Sequence, residues 1–212
     1  MILDFFNLTN ENMSLRIFPF LITTLILSST LATAQTEKGR FLVGGSIGFN
    51  STKIDYDQGA DFESFGYGIR PIISYFIIDE LAIGVSVPYS YNKSTSNNQE
   101  SISNTISFGP SLRYYFPFGK SAIFPTVSYS FGKSTRKGPA FDPLSGSVQE
   151  RVVESNINTL NIGAGYTYFL NKNIGLEAII SYLNRNIDYE SNIFNGSEES
   201  SFNFNIGFQI YL

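Results

Sequence analysis

The sequence predicts an all-β protein: a transmembrane up-and-down antiparallel β-barrel of eight strands. Three observations predict it. Beyond Gln35, large apolar residues alternate with small or polar ones, and no segment sustains helical spacing. The connections alternate as well, long and polar, then short. Charged residues make up 15% of the 212 positions, against roughly 25% in a soluble domain, and they concentrate in the connections.

Strands are predicted at 40–50, 64–77, 81–92, 102–116, 121–133, 155–170, 174–187 and 201–212. The first two are joined by the long acidic stretch "STKIDYDQGADFE", and the short "IIDE" leads to the third. There, Leu81, Ile83, Val85, Val87, Tyr89 and Tyr91 share one face, with Ala82, Gly84, Ser86, Pro88 and Ser90 on the other. After "NKSTSNNQES", the fourth strand sets Ile106, Phe108, Pro110, Leu112, Tyr114 and Phe116 against Thr105, Ser107, Gly109, Ser111 and Arg113. "PFGK" turns into the fifth, and the longest connection, "STRKGPAFDPLSGSVQERVVE", leads to the sixth. The sixth places Leu160, Ile162, Ala164, Tyr166, Tyr168 and Leu170 opposite Thr159, Asn161, Gly163, Gly165 and Thr167. "LNKN" turns into the seventh, and "DYESNIFNGSEES" precedes the last, where Phe202, Phe204, Ile206, Phe208, Ile210 and Leu212 share a face. Strand side chains alternate between faces, so each strand carries one apolar side and one small or polar side. Pro71, Pro88, Pro110 and Pro125 fall inside these strands, where each removes a ladder donor.

A soluble sandwich or lipocalin-like barrel would alternate too. Its water-facing side would carry many Lys and Glu, whereas here that side is mostly Gly, Ser, Thr and Asn. Aromatic residues also gather at both strand ends. Tyr75, Phe76, Phe116, Phe118, Tyr168 and Phe169 lie near the short turns; Phe65, Tyr67, Tyr89, Tyr91, Tyr129, Phe131 and Tyr182 lie toward the loops. Two such belts match the two interfaces of a membrane. A closed barrel also accounts for a final strand running to Leu212, because in lipid the last strand must pair with the first.

The N-terminus reads as a secretory signal. "MSLRIFPFLITTLILSSTLATAQ" has Arg16, then an apolar run from Ile17 to Leu27, then Ala32-Thr33-Ala34 as a small-x-small cleavage site. The predicted organisation is a signal peptide over 1–34, with Met13 as an alternative start, and a barrel domain over 35–212. With nothing after Leu212, no periplasmic domain is expected.

Composition narrows the chemistry. The chain has no Cys, no His and no Trp, but 20 Phe, 13 Tyr and 18 Gly. Disulfides and thiolate metal sites are excluded, and the commonest general base and metal ligand is missing. A net charge of −4 with no basic stripe gives no reason to expect nucleic acid.

The mature region resembles the small outer-membrane β-barrel domain family, the compact eight-stranded type. "FLVGGSIGF", "GYGIRPIISYFI", "SFGPSLRYYF" and "GFQIYL" carry the likeness. The ending, Gly207-x-x-Ile210-x-Leu212 with Asn205 before it, resembles the C-terminal signal by which such barrels meet the assembly machinery, with Leu in place of the usual Phe. The resemblance implies the cell outer membrane, contact with its lipid and with that machinery, and a monomer. Lipid-modifying enzymes and proteases also occur among small barrels, but those resemblances would bring a catalytic His.

Two groups of residues stand out as sites. Arg70, Arg113 and Glu177 share the lumen-facing parity, with Arg40 near the first strand. An eight-stranded lumen is about wide enough for side chains to fill, so these charges are expected to pair as a plug, with an ion pathway as the alternative. Asp55, Asp57, Asp61 and Glu63 crowd one loop like a calcium site, yet their spacing fails the twelve-residue pattern and a solvated acidic loop is the plainer reading. No catalytic, cofactor or metal residue is assigned. The expectation is a non-enzymatic barrel with a filled lumen and a structural, adhesive or ligand-binding role outside the cell. A narrow channel for small solutes or ions is the runner-up.

Overall fold

The computed structural model describes residues 35–54, 61–96, 99–142, 146–189 and 196–212. The predicted signal peptide, Asp55 and Asp57 lie outside them. Ten strand segments form one antiparallel sheet: β1 (Phe41–Ile54), β2 (Phe62–Ile78), β3 (Leu81–Ser86), β4 (Tyr89–Ser96), β5 (Gln99–Tyr114), β6 (Phe116–Phe118), β7 (Ser121–Asp142), β8 (Ser147–Phe169), β9 (Ile174–Tyr189) and β10 (Ser197–Tyr211). β3 with β4, and β5 with β6, each make one wall strand with a break, so the ring has eight strands. It closes where β1 meets β10, in register from Leu42↔Tyr211 to Ile47↔Ile206.

The prolines explain the breaks. Val87 N–H donates to the Pro71 carbonyl (3.0 Å), so the missing N–H of Pro71 faces the same neighbour, and the wall strand parts at Val87–Pro88. Pro110 lies where the β5–β7 ladder skips from Phe108↔Phe131 to Ser111↔Ser128. Pro125 lies opposite the Tyr114–Tyr115 break between β5 and β6. The strands tolerate these residues by giving up local pairing.

The alternation sorts as predicted. Val85, Phe108, Ile162, Ile180, Phe204 and Phe208 point outward and are exposed, as a lipid-facing wall requires. Two aromatics depart from the predicted belt: Phe76 and Phe169 point inward, 0% and 3% exposed, because they sit on the small-residue parity of their strands.

Strand lengths also differ from the expected ones. Turn-side ends fall within two residues of expectation, but β7 and β8 continue to Asp142 and back from Ser147. The stretch read as the longest loop is therefore mostly a hairpin. Its 22 residues in β7 span about 70 Å, far more than the ~25 Å apolar band of such barrels even when tilted. Outward apolar residues on β7 stop at Phe131, and Lys133 and Lys137 follow. Above them Lys137 pairs with Glu150 across the hairpin.

Candidate functional site: a closed floor beneath a basic basin

The interior divides into two storeys. At the turn end, Leu42, Ile72, Phe76, Tyr115, Phe124, Ile179, Phe169 and Tyr211 form one buried cluster across the lumen. Tyr115 stacks obliquely on Phe124 with ring centres 4.9 Å apart, and Phe169 meets Tyr211 edge-on at 5.4 Å. Aromatic rings at inward positions of several strands thus converge on one plane and fill it.

Glu177 stands over this cluster as the hub of a polar network. Its Oε2 accepts hydrogen bonds from Arg113 Nη1 and Gln209 Nε2, both 3.0 Å. Its Oε1 accepts from Thr167 Oγ1 at 3.1 Å, and from the hydroxyls of Tyr115 and Tyr211 at 3.4 Å each. Arg113 also lies over the Phe124 ring, its guanidinium carbon 5.0 Å from the centre. The Arg113 and Glu177 side chains are 5% and 0% exposed, so this is a buried, multiply hydrogen-bonded ion pair.

Two arginines expected to share the plug lie elsewhere. Arg40 is at the rim. Its guanidinium donates to the carbonyls of Tyr211 (2.8 Å), Lys172 (3.4 Å) and Leu212 (3.4 Å), clamping the seam between first and last strands. Arg70 shares Arg113's parity but not Glu177, because parity fixes a face and leaves depth to strand tilt and register. Among the described residues it has no hydrogen bond or ion pair; the charge acting on it is that of Arg113. Arg70 instead lines the upper storey.

That upper storey is a cavity of about 920 Å³, so the lumen is not filled along its length as expected. Ser46, Ser90, Ser128, Thr105 and Asn161 line it along with Arg70, and Arg136, Arg185 and Glu199 also contribute. Arg185 reaches Glu199 at 3.3 Å. Gly68 lines the cavity with nothing closer than 3.5 Å to the place of a Cβ, whereas at Gly48, Gly66 and Gly132 atoms of the neighbouring strands already occupy that place. The described charges make the basin net positive within an acidic chain.

At the turn end the N-terminal segment seals the outside of the floor. Gly39 N–H donates to Phe76 O (2.9 Å), and Glu80 N–H to Thr36 O (2.7 Å). Glu80 adopts φ 70°, an uncommon conformation for a non-glycine residue, and its carboxylate accepts from the Tyr114 hydroxyl at 3.0 Å.

A closed eight-stranded ring with an apolar outer wall and a sealed floor agrees with what the sequence matches. Residues 20–209 fit the family model of the outer membrane protein beta-barrel domain. The chain belongs to that family. This outer membrane β-barrel domain protein is accordingly a protein of the cell outer membrane. No curated protein matches it significantly. Among solved structures, a major outer membrane protein from Thermus thermophilus is similar at TM-score 0.51 and 13% identity, over 82% of this chain and 99% of that one. That likeness shows the fold alone. Neisserial surface protein A aligns at TM-score 0.45 and 16% identity (82% and 97% covered). The Escherichia coli outer membrane protease OmpT aligns at 0.41 and 8% (87% and 100%). Neither alignment bears on activity here.

Asp61 is exposed just before β2, and Glu63 pairs with Lys53 at 3.5 Å across the β1–β2 ladder. Among the described residues no group of acidic side chains is arranged to hold a metal. Sequence reasoning missed Thr167, Gln209, Tyr115 and Tyr211 as partners of Glu177. The available signal was their position: each is a large or polar residue on the inward parity near the turn end.

Proposed function

We propose that this barrel is a non-conducting, non-enzymatic surface protein that spans the outer membrane and presents a binding face to the outside. The observation carrying this reading is the floor: Glu177 with five donors, set on a cluster of buried aromatic and aliphatic side chains, supports a lumen without a continuous aqueous path. Opening it would strip a buried carboxylate of its counter-charge, a cost of several kcal/mol. The lack of His in the chain supports the non-enzymatic part. In this reading the short turns face the periplasm and the β7–β8 hairpin stands outside. Cleavage after Ala34, assembly through the C-terminal strand and a monomeric state belong to the same proposal.

A narrow anion channel is the second reading, favoured by the positive basin above the floor. Planar-bilayer recording separates the two: a plugged barrel gives no steady current, and a channel gives an anion-selective one.

A further inference from the structure

Among the described residues, the upper storey contains a cation with nothing to hold. Arg70 projects from β2, opposite Ser46 of β1, onto the wall of the basin. Glu177 is committed to Arg113, Gln209, Thr167 and two tyrosines, and Glu199 to Arg185. A guanidinium offers five donors in a planar fork suited to phosphate or carboxylate oxygens. Around it the wall supplies serine, threonine and asparagine groups, which hydrogen-bond an anion without competing for its charge. At the loop end, Arg136 helps draw anions inward, because a cleft of one sign raises the local concentration of the opposite charge.

The seam gives this basin a second boundary. β1 and β10 pair only up to Ile47↔Ile206, although β1 continues to Ile54 and β10 begins at Ser197. Above that point neither strand has a ladder partner on its seam side, and the outward Phe49, Phe202 and Phe204 border the opening into the cavity there. Unpaired backbone facing lipid is costly, so this gap at the seam is a place where a polar group is favoured. The basin thus has two approaches, from outside for a free anion and along the seam for the head group of a membrane amphiphile.

We propose that the basin is an anion-binding site, taking a phosphate- or carboxylate-type oxyanion on Arg70. The proposal deepens the surface-binding reading and rests on the floor below it being closed. In it Arg70 is the primary contact, and Arg136 guides the anion in.

The test uses the barrel refolded into phosphatidylcholine vesicles and titrated with radiolabelled inorganic phosphate. Saturable binding is expected, weakening as potassium chloride is raised. Arg70→Gln should lower affinity by about tenfold or more, the scale of a hydrogen bond to a charged group. Arg70→Lys keeps the charge but loses the fork, so it should fall between the two and shows that loss of binding is not loss of folding. Vesicles carrying phosphatidylglycerol form a second arm. Competition by that lipid with phosphate assigns the site to lipid head groups; no competition assigns it to free anions. Non-saturable phosphate uptake, or equal affinity in wild type and Arg70→Gln, would overturn the proposal. A conductance measurement does not enter this outcome, so an open floor and an absent anion site give different results.

Discussion

Arg113 and Glu177 meet at 3.0 Å across the lumen from β5 and β9, with both side chains almost fully removed from solvent. Neither strand neighbours the other in the ring, so the pair ties opposite walls together. Breaking such a pair by removing one charge costs far more than replacing both.

Glu177→Gln should therefore lower the stability of the refolded barrel by about 3–5 kcal/mol, since Arg113 keeps its charge with no counter-ion. The double replacement Arg113→Met with Glu177→Met should recover only part of that loss, because Gln209, Thr167 and the two tyrosine hydroxyls lose their acceptor. Urea unfolding from lipid vesicles measures both. A single-mutant loss below about 1 kcal/mol would mean that water already screens the pair.

The outer wall makes a separate demand. Ile162 is 51% exposed and faces lipid, whereas Ser128 lines the basin. Ile162→Arg should destabilise the barrel by roughly 2–4 kcal/mol near the bilayer midplane. Ser128→Arg should be tolerated much better, because its charge enters a polar, open space. Equal losses in the same unfolding assay would show that the two faces have been confused.

Arg40 holds three carbonyls at the seam. Arg40→Ala should cost on the order of 1–3 kcal/mol, the scale of hydrogen bonds from a charged group, reduced by its partial exposure. Amide exchange at Phe41 and Leu212, which bond to each other across the seam, should quicken first. Unchanged exchange there would leave Arg40 without a structural role.

Orientation is open to labelling because the chain has no cysteine of its own. Ser147→Cys, on the exposed hairpin, should react with a membrane-impermeant maleimide on intact cells. Lys120→Cys, at the Gly119 turn, should react only after the outer membrane is breached. The reverse pattern would invert the barrel.

The lipid-spanning part of the wall was legible in the sequence because lipid imposes one requirement on every outward position. Val85, Phe108, Ile162 and Phe204 satisfy it, so their parity could be read directly. Above Phe131 that requirement ends. Lys133 and Lys137 continue the strand without an apolar signature, so the projecting hairpin looked like a loop. The proline breaks were legible as positions but not as outcomes, since ladder direction depends on register. Within the lumen, parity placed Arg70, Arg113 and Glu177 on one face correctly. It could not say that Glu177 is at Arg113's depth and that Arg70 opens onto the basin, because depth follows from tilt and shear. Phe76 and Phe169 were misplaced for a related reason: an aromatic near a turn fits a membrane belt or a floor, and only its parity separates the two.

Everything proposed for the basin depends on a closed floor, and single-channel recording in a planar bilayer reads that closure without a mutant. Purified wild-type barrel should insert and give no steady current at neutral pH, with any openings brief and rare. A sustained wild-type current with clear anion selectivity would contradict the closed floor and make this barrel a channel.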